Sequence, residues 1–243
     1  MNVSINEAAQ LLNVSLDTLR RWDNEGKLAS ERSSPSAHRT YSENSLEDFL
    51  SHHFKYLFDL GSRWAFDPKG FTLLPRLYCA DRSVFKARLS TFEAYVKKDA
   101  RIGKNYPLIT SVVGEIGNNS FDHNLGNWPD ISGIFFGYSL DEKKLLLADR
   151  GQGLFKTLQR VKQGLRDDAQ AIEVAFTEIL SGRSPESRGN GLKYVRAVVT
   201  ENDVMRLLFQ SGTAQLQLRF KARDLKIEST SKRLQGCLAV LEY

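Results

Sequence analysis

Three short segments hold the residues of this chain best suited to chemistry: Glu115-Ile-Gly-Asn-Asn119-Ser-Phe-Asp122, Asp149-Arg-Gly151-Gln-Gly153 and Arg188-Gly189-Asn190-Gly191-Leu192. Glu115 and Asn119 stand four residues apart and Asp122 seven from Glu115, spacings that put the three side chains along one side of a helix. Ile109, Val112, Val113 and Ile116 fall in the neighbouring sector and give that helix an apolar face to lay under a sheet. Gly114 and Gly117 each cost such a helix about 1 kcal/mol relative to alanine, so something must approach it closely. Asp149 follows the apolar run Leu145–Ala148, a buried strand that would hold a hydrogen-bond acceptor rigidly. Gly151 and Gly153 let the backbone come near a ligand. Arg188–Leu192 opens a helix, where unpaired backbone N–H groups and glycine suit a phosphate. Ser181–Ser187 before it reads as a short flexible lid, with Arg183 and Arg188 as candidate phosphate contacts. No Gly-x-x-x-x-Gly-Lys-Ser/Thr segment occurs, so the chain is not a P-loop protein. His123, next to this group, reads as a structural histidine.

The elements that must position these residues follow from the pattern. From Pro107 onward it is mixed α and β. A helix is expected over 108–124 and a strand over Gly133–Ser139. A turn at Asp141–Lys144 and the buried strand Leu145–Ala148 follow. Helical segments lead to a helix at Leu192–Val199, and strands are expected at Met205–Gln210, Ala214–Phe220 and Cys237–Glu242. Gly236-Cys237 precedes the last of these.

These motifs, in this order, resemble the N, G1 and G2 boxes of the GHKL ATPase superfamily, which includes gyrase B-type topoisomerases, heat-shock chaperones, mismatch-repair ATPases and histidine kinases. The resemblance covers about residues 106–243 and implies a two-layer α/β sandwich of the Bergerat type that binds ATP and Mg²⁺. It implies that Asn119 ligates Mg²⁺ and that Glu115 is the base that deprotonates the attacking water. Asp149 would accept the adenine amine, with Gly151 and Gly153 near base and ribose. Asp122, Arg188, Gly189, Asn190, Gly191 and Leu192 would complete the nucleotide contacts. Gly236-Cys237 stands where the family often has Gly-Thr. Glu115 aligns the chain with the ATPases of the superfamily. His52-His53 lacks the acidic and proline context of a phosphoacceptor box, so a sensor histidine kinase is rejected. The superfamily's motor-like members draw a lysine from a domain after this fold. The sheet ends near Tyr243, so slow hydrolysis, or a need for dimerisation or a partner, is expected.

The first 50 residues read as short helices. Ser4 and Glu7 make a capping-box pattern, Ala8, Ala9, Leu11 and Leu12 an apolar stripe, and Asn13-Val14-Ser15 a turn. Ser15 would cap a second helix from Leu16 to about Asn24, with Gly26 at its stop. Two helices across such a turn are the helix-turn-helix pattern. "AAQLLNVSLDTLRRWDNEGKL" followed by "HRTYSENSLEDFL" resembles the MerR/excisionase-type winged helix-turn-helix. The resemblance implies a small all-α winged domain whose second helix enters the major groove. Ser15, Thr18, Arg20 and Arg21 would face double-stranded DNA, with His38, Arg39 and Tyr41 on the wing. Trp22 is expected in the small core, and Ser33–Ser36 at the wing tip.

From Ser42 an amphipathic helix carries Leu46, Phe49, Leu50, Phe54 and Leu57. Gly61 and Pro68-Lys-Gly70 read as breaks, and a helix is expected from about Arg82 to Lys98. The chain therefore divides into a helix-turn-helix at 1–50, a helical connector and candidate dimer segment at 51–105, and the ATP-binding domain at 106–243. The fold class is α+β.

The 243 residues are 41% apolar and 26% charged, with a net charge of +5. Residues 1–50 hold five Lys/Arg against eight Asp/Glu, while 51–110 hold eleven against five, so the basic excess is concentrated in 51–110. Cys79 and Cys237 have no metal-ligand spacing and read as reduced thiols. No apolar run is long enough to span a bilayer and the first residues do not form a signal peptide. A cytoplasmic, DNA-binding, ATP-responsive transcription regulator, with a homodimer and a protein partner as candidate assemblies, is the expectation. The alternatives are a serine/threonine protein kinase of the anti-sigma-factor type and a nucleotide-gated protein-interaction module.

Overall fold

The computed structural model describes residues 2–34, 37–178 and 191–243. The chain is mixed α+β, with helices at its N-terminal end and an antiparallel sheet at its C-terminal end.

Strand β1 (Asn2–Ser4) leads into α1 (Ile5–Leu12), which opens on a reciprocal cap: Glu7 N–H donates to Ser4 Oγ at 3.3 Å, and Ser4 N–H donates to Glu7 Oε2 at 2.7 Å. Asn13 turns the chain in a left-handed conformation, and α2 (Leu16–Asn24) starts on Ser15, whose Oγ accepts from Thr18 N–H at 3.1 Å. The domain is not all-α as expected. β2 (Thr40–Ser42) pairs antiparallel with β1, and Glu31 bridges to Thr40, so the wing is built on a small sheet. Its strands are three residues each, too short for a period-two pattern to register.

The helix expected from Ser42 is two helices, α3 (Glu43–His52) and α4 (Phe54–Phe66), broken at His53. Glu142 satisfies the new helix start by accepting from Phe54 N–H at 2.8 Å. Gly61 does not end a helix. It lies inside α4, where a Cβ would sit 2.4 Å from Leu146 and 2.9 Å from Phe135, so glycine lets the helix press onto the sheet. Within residues 51–105, α4 packs on the sheet through Leu57 and Leu60.

The sheet has the order β3-β4-β5-β7-β6, antiparallel at every pairing. Its strands are β3 (Tyr78–Cys79), β4 (Ile134–Ser139), β5 (Lys144–Asp149), β6 (Arg206–Arg219) and β7 (Lys226–Glu242). Along β4 and β5 neighbouring side chains enter different cores. Phe136, Leu145 and Leu147 pack with α5 (Arg82–Lys98), α6 (Tyr106–Asn124), α8 (Asp168–Thr177) and α9 (Gly191–Glu201), while Phe135, Leu146 and Ala148 pack with α4 and the N-terminal helices. Both faces of the sheet are thus covered, one layer more than the expected two. The close approach required by Gly117 comes from α5, since a Cβ there would lie 2.1 Å from the Phe85 ring.

The strands expected at Met205–Gln210 and Ala214–Phe220 are the one strand β6 (Arg206–Arg219), irregular around Ser211–Ala214, and β7 begins eleven residues before the expected start at Cys237. The added part of β7 is mostly exposed on both faces, so no hydrophobic alternation marked it. No helix among the described residues is long and apolar enough to cross a membrane.

Candidate functional site

A cavity of about 40 Å³ lies between α6, the end of β5, α7 (Gly153–Leu158) and the strands β6 and β7. Asn119, Asp149, Gly153 and Leu192, drawn from all three chemical segments, line it. Gly191, at the start of α9, closes the same corner. A Cβ on it would lie 2.6 Å from Glu115 Oε2 and 3.2 Å from Asn119 Nδ2. Gly151 lies behind the wall, where its missing side chain makes room for the Asn124 amide.

Asp149 is 1% exposed. Its Oδ2 accepts from Ser120 Oγ at 2.7 Å, and its Oδ1 accepts from the N–H groups of Gly151 at 2.8 Å and Cys237 at 3.3 Å. Burial pushes the carboxyl up, against these three donors, which favour the charged form. Asn124 ties α6 to the loop after β5: its Oδ1 accepts from Gln152 N–H at 2.8 Å and its Nδ2 donates to Ser120 O at 2.8 Å. His123 also lines the cavity, and burial pushes its imidazole down towards the neutral form.

Gly236 backs the floor. A Cβ there would stand 2.2 Å from the Asp149 carbonyl oxygen and 2.3 Å from Oδ1. Gly236→Ala is therefore expected to part β7 from β5 and lower stability by about 1–3 kcal/mol. Urea unfolding measures this, and an unchanged midpoint would mean that the strands tolerate the methyl group.

Asp122 does not join this group. Two helical turns carry it about 10.5 Å along the axis from Glu115. There its carboxylate pairs with Arg82 and lines a separate hollow with Trp128 and Leu125. Arg188, Gly189 and Asn190, together with the expected lid Ser181–Ser187, lie outside the described residues. Sequence reasoning missed Ser120, Asn124 and Thr157 on the cavity wall. Ser120 and Asn124 carry a signal in hindsight, being a polar pair four apart on the turns just after Asn119.

Arg150 was also missed. It lies between Asp149 and Gly151, only 1% exposed. Its Nη1 donates to the carbonyl oxygens of Trp64 and Asp67, each at 2.6 Å, and its Nε donates to Asp130 Oδ2 at 3.0 Å. The guanidinium thereby caps the C-terminal end of α4 from the loop that forms the cavity. On the same helix, Arg63 Nη2 donates to Leu11 O at 2.5 Å, at the end of α1.

On the N-terminal domain, Ser15, Arg20, Arg21 and His38 are exposed and Thr18 is half-buried. Arg20 pairs with Asp17 at 2.7 Å and Arg21 with Glu25 at 3.8 Å, surface pairs weak enough to exchange for phosphate. Two of the expected wing contacts are otherwise engaged. Tyr41 is fully buried and its hydroxyl donates to Leu19 O at 3.4 Å, because strand alternation turns it into the core opposite Val3. Arg39 donates to Asp23 Oδ2 at 2.7 Å. Asp23 also accepts from Ser30 N–H at 2.7 Å, Ser30 Oγ at 2.8 Å and Arg32 at 3.3 Å. Burial alone would raise the Asp23 carboxyl, but the hydrogen bonds from Arg39, Ser30 and Arg32 together hold it well below the usual range. Trp22 lies in the core as expected, 4% exposed, with Lys27 Nζ 4.6 Å from its ring centre.

Asp23 therefore fastens the wing to α2. Asp23→Ala is expected to cost about 1–3 kcal/mol at neutral pH. Because the folded carboxyl lies below its unfolded value, the difference is full above about pH 4 and closes as pH falls from there towards the depressed folded value. Urea unfolding of both proteins across that range checks it; a difference that grows in acid would contradict the pairing.

A family model and one known protein bear on these sites. A family model described as "MerR family regulatory protein" matches residues 4–41. The type II methyltransferase M.Eco47II of Escherichia coli is 26% identical over 212 residues, covering 82% of this chain and 48% of that protein. The chain thus spans about half the length of that distant relative. The matched segment contains the cap on Ser4, both helices, the wing and Tyr41, the structural parts described above. Residues 4–41 form a MerR-family DNA-binding helix-turn-helix domain.

Proposed function

We propose that the chain is a DNA-binding regulator whose C-terminal domain takes ATP with Mg²⁺, and that occupancy of the cavity changes how the helix-turn-helix meets DNA. One observation carries the reading: residues 30 to 73 positions apart, Asn119, Asp149 and Leu192, line a single cavity with a buried carboxylate in its wall. The order of α6, the β4–β5 hairpin, three helices and the antiparallel β6–β7 pair is the order that the GHKL resemblance implies, which adds support.

The side-chain types in the wall suit such a ligand, for which the space of about 40 Å³ would have to open. Asp149 would serve as a rigid acceptor for an exocyclic amine, and Gly191, having no side chain, lets the start of α9 come close to Glu115 and Asn119. Asn119 would hold Mg²⁺ through its amide oxygen, and the ion, when bound, neutralises phosphate charge while keeping most of its waters. Glu115, which lies with Asn119 against Gly191, would take a proton from an attacking water in this reading, so slow hydrolysis belongs to it. Arg150 gives the coupling a contiguous route, from the cavity loop to the end of α4 and then through Arg63 to α1.

Methyl transfer, the activity in the relative's name, finds less support. Open α/β sheets hold cofactors at the carboxyl ends of parallel strands, and this sheet is antiparallel throughout.

Calorimetry on the full chain with ATP·Mg²⁺ and, separately, S-adenosylmethionine tests the ligand. Heat from ATP alone is expected, and heat from S-adenosylmethionine alone would replace the reading. Anisotropy titration of a duplex with and without ATP·Mg²⁺ tests the coupling. A change in affinity of about 5- to 150-fold is expected, and equal affinity in both states would leave two unconnected sites.

A further inference from the structure

The β6 edge of the sheet, unpaired among the described residues, carries a charged feature for which the helix-turn-helix does not account. β6 is the terminal strand, and the groove between it and the N-terminal end of α4 encloses about 1430 Å³. Lys55, Arg206, Arg219, Lys221, Arg223 and Lys226 line it against Asp203, Asp224 and Glu242, so cations outnumber anions two to one. Lys226 pairs with Glu228, and Glu242 with Lys144. Among the described residues, Arg206, Arg219, Lys221 and Arg223 have no acidic partner.

Two aromatic rings are interleaved with these cations. Phe58 and Phe220 are each 39% exposed, and Lys221 Nζ lies 4.9 Å from the Phe220 ring centre. Lys221 itself has φ 58°, a strained backbone for a residue with a Cβ, and its N–H is fixed on Thr200 O at 2.8 Å. The groove also adjoins the DNA-binding domain. Lys55 Nζ lies 5.7 Å and Lys27 Nζ 6.0 Å from the centre of the one Tyr56 ring, and Lys27 comes just after α2. A positive track therefore runs from the end of the recognition helix into the groove.

We propose that this groove is a second DNA contact, in which the duplex held by the helix-turn-helix continues past Lys27 and Tyr56. Arg219, Lys221 and Arg223 bind its phosphates there, and the Phe220 ring lies against the sugar-phosphate edge. Cations interleaved with exposed aromatics are the surface a nucleic acid needs. Continuity with a DNA-binding helix favours DNA over an acidic protein. The inference rests on the DNA reading of residues 4–41 and extends the footprint beyond them.

The test uses the full chain, a fluorescent mixed-sequence duplex of roughly 40 base pairs, about four helical turns, and a salt titration. Three variants are compared: Arg219→Ser/Lys221→Asn/Arg223→Ser in the groove, Arg219→Lys/Arg223→Lys as a charge-keeping control, and Arg20→Ala/Arg21→Ala in the helix-turn-helix. All these side chains but none of the core are altered, and asparagine tolerates the positive φ at 221. The neutral groove variant is expected to bind about 10- to 100-fold more weakly at low salt, with the log–log salt slope reduced by about 2–3. The lysine control should bind like the wild type. A groove variant that keeps its affinity and slope, while the helix-turn-helix variant loses binding, overturns the groove and leaves the DNA reading standing. Failure of the wild type to bind duplex overturns both. If the groove variant keeps duplex binding but loses binding of labelled poly-glutamate, the groove serves an acidic protein and the proposal is wrong.

Discussion

Asp149→Asn is expected to abolish ATP binding and yet give a protein more stable than the wild type in the absence of ligand. The carboxylate is held by Ser120, Gly151 N–H and Cys237 N–H, and an asparagine oxygen at Oδ1 keeps both backbone bonds. The Ser120 hydroxyl can turn to accept from the new amide. Folding pressure on the native residue runs the other way. Burial raises the folded carboxyl above its unfolded value, so the native state favours the proton, and stability falls as pH rises through the interval between the two values. At neutral pH the wild type carries this cost and the asparagine variant does not. A gain of about 1 kcal/mol would raise Tm by roughly 2–4 °C. The amide also presents a donor where an adenine amine needs an acceptor, which should weaken ATP by at least about 100-fold. Calorimetry and thermal melting of the same two samples decide the matter. Retained ATP affinity would remove Asp149 from the adenine-acceptor role, and a lower Tm would show that the three donors outweigh the burial.

Arg150→Met should be the most destabilising single change in the domain. It removes the cation that satisfies the carbonyl oxygens of Trp64 and Asp67 and strands Asp130 without its partner. The loss leaves the carbonyl oxygens of Trp64 and Asp67 without their donor, at about 1–3 kcal/mol for a buried acceptor, while the Asp130 carboxylate, 27% exposed, turns to water. Asp130→Asn in the Arg150→Met background should then cost little further, because the pair is already lost. Urea unfolding of the wild type, both single variants and the double variant closes the cycle. Additive losses would mean that the two residues act independently. If the Arg150→Met protein folds at low temperature and still takes ATP, its DNA affinity should no longer respond to ATP, because the cavity loop has lost its hold on α4.

What could be read from the sequence divides along physical lines. The helix α5, expected from about Arg82 to Lys98, was legible because Phe85, Leu89, Phe92 and Val96 repeat at helical spacing. The cap on Ser4 and the burial of Trp22 were legible for the same local reasons. The juxtaposition of Asn119 with Asp149 was readable only through family resemblance, since no local rule links residues thirty positions apart. Tyr41 was misplaced because a three-residue strand carries no period by which to tell in from out. Asp122 was misplaced because a shared helix side says nothing about distance along the axis. Gly61 was taken for a stop because the residues that need it, Phe135 and Leu146, come from a distant hairpin.

The hydrophobic cluster that holds Trp22, Leu46 and Phe49 also holds Leu57, Phe135, Leu146 and Leu238. The DNA reader and the sheet that backs the cavity therefore melt and form together. The chain cannot be cut between them without exposing the surface each lends the other, and the DNA reader cannot be moved as a cassette onto another protein with its core intact. Modularity visible in the order of motifs is absent from the packing, and any signal between the two sites passes through shared interior instead of a hinge.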